Sequence, residues 1–150
     1  MKLTPGKLIT EIELPSIEGE KFSIKKIKGK RTLLTFYRFA TCPFCNLRIH
    51  EITERYNELG ENFEIVAIFN SSQDYLAKVM EKHTAPFTIL ADENFEYFSK
   101  YEVEKSLIKF LIGSLVGFLR ILKASSKGYF PMELKGCLLY TSDAADEEDS

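Results

Sequence analysis

Apolar and polar positions along the chain follow two alternating periods. Ile12-Glu13-Leu14-Pro15 is a short extended piece, and Pro15 limits it to an edge or a strand end because proline has no N–H to donate. Glu18-Gly19-Glu20 is a turn, and Lys21 to Ile24 alternates as a second short strand. After the turn Lys28-Gly29-Lys30, residues 31–38 form a run rich in Thr, Leu and aromatics, apolar enough to predict a central strand. The period then changes. Across 43–59, Leu47, Ile52, Tyr56 and Leu59 fall near i, i+4 and i+7 spacing, which predicts a helix stopped by Gly60. Phe63 to Phe69 reads as a second buried strand. Asn70-Ser71-Ser72 offers N-caps for a helix over 73–82, and residues 86–90 read as a third core strand. Asp92-Glu93-Asn94 then starts a short helix carrying Phe95, Phe98 and Tyr101. This β-α-β-α-β order predicts an α/β fold with right-handed crossovers and parallel pairing.

Residues 107–122 are strongly apolar and predict an amphipathic helix over 106–123. Ser106, Lys109, Gly113, Gly117 and Arg120 make a narrow polar stripe, with Leu107, Leu111, Leu115, Phe118 and Leu122 opposite. Lys109 and the glycines interrupt a span already short for crossing a bilayer. Its apolar face is expected to pack on the chain's own core or on a second copy in a homodimer. Contact with a membrane surface is the alternative use.

With 150 residues, the chain is long enough for one domain with a sizeable core. A formal net charge of −2 gives no electrostatic case for a nucleic-acid partner. Three cysteines are too few for a secreted disulfide scaffold, and Met1 to Gly6 lacks the apolar stretch of a signal peptide. The expectation is a cytoplasmic, reducing location, where a Cys-x-x-Cys pair is catalytic or metal-binding.

Such a pair is present. Cys42-Pro43-Phe44-Cys45 lies between the strand run ending near Arg38 and the helix over 43–59. N–H groups at a helix start have no intrahelical partner and carry partial positive charge, so a thiolate placed there is stabilised and becomes a usable nucleophile. Arg38, at the end of the strand, is the candidate thiolate stabiliser. Arg48 is assigned to a solvated helix face, Tyr37 to the core and His50 to the surface. His83 is read as a helix C-terminal residue assisted by the dipole. Glu51, Glu54, Glu58 and Glu61 mark a solvated helix side, with no metal-ligand spacing. Zinc normally takes four ligands and no second Cys-x-x-Cys is present, so no metal site is assigned. A Cu(I) or Zn(II) module on the two thiolates is the non-enzymatic alternative.

The stretch Phe36-Tyr37-Arg38-Phe39-Ala40-Thr41-Cys42-Pro43-Phe44-Cys45-Asn46 resembles peroxiredoxin-like proteins of the AhpC/TSA group, within the thioredoxin superfamily. Their signature runs F-Y-R-x-x-W-C-P-Y/F-C-N. The resemblance extends to Ile12–Ser23, similar to the family's N-terminal hairpin, and to Pro86–Asp92, similar to its F-P-L-L-S-D strand and turn. It implies a thioredoxin-like three-layer α/β/α sandwich and a thiol-dependent antioxidant oxidoreductase. Such an enzyme reduces hydroperoxides or disulfides through a Cys42/Cys45 dithiol–disulfide cycle. A thioredoxin- or glutathione-type reductant would recycle it, and no bound cofactor is implied. Two registers compete. A gapless match to F-Y-P-x-x-x-T-P-x-C puts Cys45 on the peroxidatic cysteine, whereas W-C-x-x-C makes Cys42 the attacking thiol. Cys42, expected to be the more exposed, is favoured for disulfide exchange and Cys45 for peroxide.

Thr41 stands where the family usually has Trp, which predicts a wetter pocket. The resemblance also calls for a later cis-proline strand, a peroxiredoxin arginine, a closing hairpin and a last helix. Pro86 and Pro131 do not supply the proline, so the domain over 1–136 is expected to be incomplete at its C-terminal end. An inactive truncated fragment is a further alternative. The stretch from Cys137 to Glu147 reads as the translation of a transposase-type sequencing adapter. Residues 137–150 are therefore expected to be an artefactual, disordered tail in which Cys137 has no role.

Overall fold

β1 (Glu13–Pro15) and β2 (Lys21–Ser23) pair antiparallel, with Leu14 opposite Phe22 on the buried side of the hairpin. β3 (Arg31–Tyr37), β4 (Phe63–Phe69) and β5 (Thr88–Ala91) form a parallel sheet in the order β3-β4-β5. Parallel pairing follows from the helical segment that returns the chain between each pair of strands. These observations come from a computed structural model, which describes residue 9 and residues 11–103 and 117–129. The expectations for most of the 106–123 helix, for Pro131, for Cys137 and for the tail fall outside the described residues.

The register places Tyr37 beside Phe69 and Phe69 beside Ala91, so the three strands end level at their C-terminal edge. β4 is the middle strand. Its residues Ile65 to Phe69 are all buried, as a strand covered on both faces should be. β3 was expected to be central, but among the described residues it pairs only with β4, and Leu33 is 41% exposed. An apolar run shows that a strand is covered, not how many neighbours it has.

Alternation along the strands divides the core. Val66, Ile68 and Leu90 face one side, where they cluster with Leu14 and Phe22 of the hairpin and with Tyr97, Phe98 and Tyr101. The Phe36 and Phe98 rings meet edge to face at 5.1 Å. Each fully buried aliphatic side chain of this kind contributes roughly 1.5–3 kcal/mol. On the other side, Ile65, Ala67, Phe69 and Ile89 are also buried, and Tyr37 stacks on Phe69 at 4.8 Å.

α1 (Pro43–Arg55) tightens into a 3-10 turn over Tyr56–Leu59 and stops at Gly60. Gly60 has φ +79°, a region that costs glycine nothing. Leu59 ends up 41% exposed because the tighter turn rotates it off the apolar face. α2 (Gln73–Met80) buries Leu76 and Met80 and runs into a 3-10 turn over Glu81–His83. Ser72 is its N-cap, but its hydroxyl makes no capping bond. α3 (Glu96–Lys100) starts from Asp92, whose buried carboxylate accepts the N–H groups of Glu96, Tyr97 and Phe98 at 2.9, 2.8 and 3.2 Å. α4 (Phe118–Ser126) follows Gly117 at its N-cap. It closes with Gly128 at φ +81° and the Tyr129 N–H donating to the Ala124 carbonyl at 3.1 Å, the bond that caps many helix ends.

The chain forms two compact units. One comprises Met1–Ala40 and Arg48–Val103, and holds the sheet, the hairpin, α2 and α3. The other comprises Thr41–Leu47 and Glu104–Ser150. Within its described part, Leu47, Ala124 and Tyr129 make a small apolar cluster.

Candidate active site

The start of α1 is built from Thr41, Cys42, Pro43, Phe44, Cys45 and Asn46. Pro43 is the first helical residue, a position where the missing N–H costs nothing and the fixed φ already suits a helix. Cys42 is therefore the N-cap residue. Its carbonyl accepts the Asn46 N–H at 2.9 Å and the Asn46 side-chain amide at 3.0 Å. Asn46 is 1% exposed, so a buried amide locks the backbone of the first thiol residue. Sequence reasoning gave Asn46 no role, and its only signal is an amide directly after the second cysteine.

Cys42, Cys45, Asn46 and Ile49 are all buried and recur at i, i+3, i+4 and i+7, which marks one helical face. The structure thus brings the two candidate thiols together on the first turn of α1. The N–H groups of Phe44 and Cys45 lie ahead of the first intrahelical bond and form the positive end of the helix. No disulfide joins Cys42 and Cys45 in this structure.

The expectation that Cys42 is the more exposed thiol is overturned. Cys42 is 4% exposed and Cys45 is 8% exposed. The N-cap position follows the inward face of the helix instead of leading away from it. Thr41 also departs from expectation. It is 8% exposed, and its hydroxyl is out of solvent with no hydrogen-bond partner among the described residues. The segment before Cys42 is dry at this position, not wet.

Arg38 lies one residue beyond β3, in the other compact unit, and is exposed. Its carbonyl accepts the Asn70 N–H at 2.8 Å, which holds the end of β3 to the end of β4. Tyr37 is in the core, as its apolar neighbours implied. Arg48 is exposed and faces Glu51 at 3.8 Å, in keeping with a solvated side of α1. His50 is half-buried, not on the open surface, with Nε2 3.3 Å from Glu54. Arg55 pairs with Glu58 at 2.7 Å, both exposed.

His83 is 5% exposed. Burial, with the nearby positive charges of Lys82 and His50, pushes its pKa down to about 4. Desolvation therefore outweighs the helix-end dipole that was expected to favour its charged form. Among the described residues, no group of three or more His, Cys, Asp or Glu side chains could hold a metal ion. No helix among them is long and apolar enough to cross a membrane.

A parallel sheet with a helix opening after its first strand, Cys42 and Cys45 on that helix's first turn, defines a thioredoxin-like α/β protein. The chain belongs to the AhpC/TSA family, which it matches over residues 5–119, and it is a peroxiredoxin-like, thiol-dependent redox protein. It is 27% identical over 109 residues to peroxiredoxin Bcp of Escherichia coli, covering 71% of this chain and 70% of that protein. Peroxiredoxin Bcp of Bacillus subtilis is 26% identical over 106 residues, covering 70% and 68%. The fold is similar to peroxidoxin BcpB from Mycobacterium tuberculosis, with TM-score 0.61, 21% identity and 68% of each chain covered. It is also similar to the thioredoxin domain of a thiol-disulfide oxidoreductase from Bacteroides vulgatus, with TM-score 0.58 and 17% identity over 71% of this chain and 78% of that one.

Proposed function

We propose that the protein reduces small hydroperoxides through a Cys42/Cys45 dithiol cycle. The burial of both thiols, at 4% and 8% exposure, carries this reading. A hydroperoxide is small enough to reach a sulfur as buried as these. The Cys45 thiolate attacks the distal oxygen of the peroxide, the O–O bond breaks, and the alcohol leaves after taking up a proton. Cys45 is now a sulfenic acid. The Cys42 sulfur attacks it, the S–O bond breaks and water leaves, which creates a Cys42–Cys45 disulfide. Two electrons have passed from the dithiol to the peroxide. A thioredoxin- or glutathione-type thiol donor then returns the disulfide to the dithiol by exchange.

The N-cap position of Cys42 favours a second reading, in which the Cys42 thiolate attacks a substrate disulfide and Cys45 releases the product. Two assays separate them. For the peroxidase, Cys45→Ser should abolish hydroperoxide consumption coupled to a dithiol donor. Cys42→Ser should leave a single turnover that strands Cys45 as a sulfenic acid trapped by dimedone. Insulin reduction without peroxide turnover, lost in Cys42→Ser, would establish the reductase instead.

A further inference from the structure

Positive charge is spread unevenly along the chain. Residues 21–31 carry six of its 20 lysines and arginines and no acid, although acids outnumber bases 22 to 20 overall. Lys21 is paired with Glu13 at 2.8 Å, and Lys30 with Glu64. Arg31 donates its N–H to the Asn62 carbonyl at 3.2 Å, which sets it beside a segment that also carries Glu61. Lys25, Lys26 and Lys28 remain. All three are exposed, and their ammonium groups make no hydrogen bond or ion pair among the described residues. Glu13 is close enough to Lys25 to feel its charge, but Lys21 already holds that carboxylate. Three like charges so close in the chain repel one another, and nothing described in the fold offsets that repulsion.

The local fold turns these three lysines outward. Ile24–Ile27 form a 3-10 turn, in which residues three apart lie one above the other. Ile24 and Ile27 share the inward edge and pack against the core cluster that holds Leu14 and Phe22. Lys25 and Lys28 therefore share a second edge, and Lys26 takes the third. Neither outer edge carries an apolar side chain. A folded protein partner is held mainly by aromatic and apolar anchors, and this turn offers none. A lysine ammonium is a point charge that needs no fixed geometry in its partner. A layer of mobile anionic headgroups is such a partner, at roughly fivefold in affinity per lysine. The net charge of −2 does not oppose this, because a Debye length of about 8 Å at physiological ionic strength screens acids elsewhere on the surface. We propose that Lys25, Lys26 and Lys28 form a docking face for an anionic lipid surface, separate from the apolar helix expected over 106–123. β3 rises about 20 Å from Arg31 to Tyr37, so docking beside its start leaves the C-terminal edge of the sheet uncovered.

The test is flotation of the full chain with vesicles of equimolar phosphatidylcholine and phosphatidylglycerol, against vesicles of phosphatidylcholine alone. The wild type should bind the anionic vesicles only. Raising salt from about 0.1 M to about 1 M, which shortens the Debye length from about 10 Å to about 3 Å, should release it. Lys25→Gln, Lys26→Gln and Lys28→Gln together should weaken partitioning roughly a hundredfold, and Lys26→Gln alone roughly fivefold. The three corresponding arginine substitutions should keep it. Arg55→Gln, Lys78→Gln and Lys123→Gln together remove the same charge elsewhere and should leave binding nearly intact. An equal loss in that control would show that net charge and not this turn is read, and would overturn the proposal. So would a wild type that ignores anionic vesicles, or binding that survives the triple lysine variant but is lost in Phe118→Ser with Leu122→Ser. Capture by polyglutamate without any vesicle binding would assign the face to an acidic polypeptide instead. None of these outcomes depends on peroxide or disulfide turnover.

Discussion

Asp92 holds α3 to the end of β5 through three backbone N–H groups that the helix itself cannot satisfy. Its own carbonyl accepts the Asn70 side-chain amide at 2.9 Å, and its N–H donates to the Phe69 carbonyl at 2.8 Å. One residue thus ties β4, β5 and α3 together, with its side chain 1% exposed. Asp92→Ala strands three helix-start donors at once, two of them buried, and the expected loss is about 2–4 kcal/mol. Asp92→Asn keeps one acceptor oxygen and should lose markedly less. Urea unfolding at neutral pH measures both, and a loss below ~0.5 kcal/mol in the alanine variant would contradict this role.

At the scale of the element, α1 and α4 show how a helix chooses its inward face. In α1 the face is set by Cys42, Cys45, Asn46 and Ile49, so the candidate thiols are part of the packed side. In α4 the expected apolar face is turned out. Phe118 is 59% exposed and Leu122 52%, whereas Ala124 is fully buried beside Leu47 and Tyr129. A small residue permits the close approach that fixes the phase of this helix. Ala124→Leu should therefore overpack the cluster and cost about 1–3 kcal/mol. Leu119→Ala, at a position 77% exposed, should change stability by less than ~0.5 kcal/mol. Thermal unfolding of the two variants checks the assignment, and a reversed order would show that a different face is buried.

Across the whole molecule, His83 couples folding to pH. Its folded pKa of about 4 lies below the 6.5 of an ordinary histidine. At pH well above 6.5 neither the folded nor the unfolded state protonates it, so it makes no difference there. Below that, the unfolded chain takes up a proton that the folded one refuses. Stability should fall as pH drops from about 6.5 towards about 4 and level off below, with a total loss on the order of 3 kcal/mol. His83→Gln should flatten that segment of the stability–pH curve. An unchanged slope in the variant would mean that other groups supply it.

The hydrophobic pattern by itself determined the β-α-β-α-β order and the parallel sheet. Its period-two and helical stretches match β3, β4, β5, α1 and α2 to within a few residues. The strand run before the Cys-x-x-Cys pair and the helical spacing after it also placed both thiols at a helix start. These are local properties, legible because periodicity and turn chemistry act over a few residues. Contacts between distant segments were not legible. Only the tertiary structure made β4 and not β3 the middle strand, buried Cys42 as deeply as Cys45, and gave Asn46 and Asp92 their hydrogen bonds. It also kept His83 neutral against its helix-end position and took the Thr41 hydroxyl out of solvent. Each outcome depends on what surrounds a residue in space, and burial sets the balance of desolvation and hydrogen bonding that no spacing along the chain encodes.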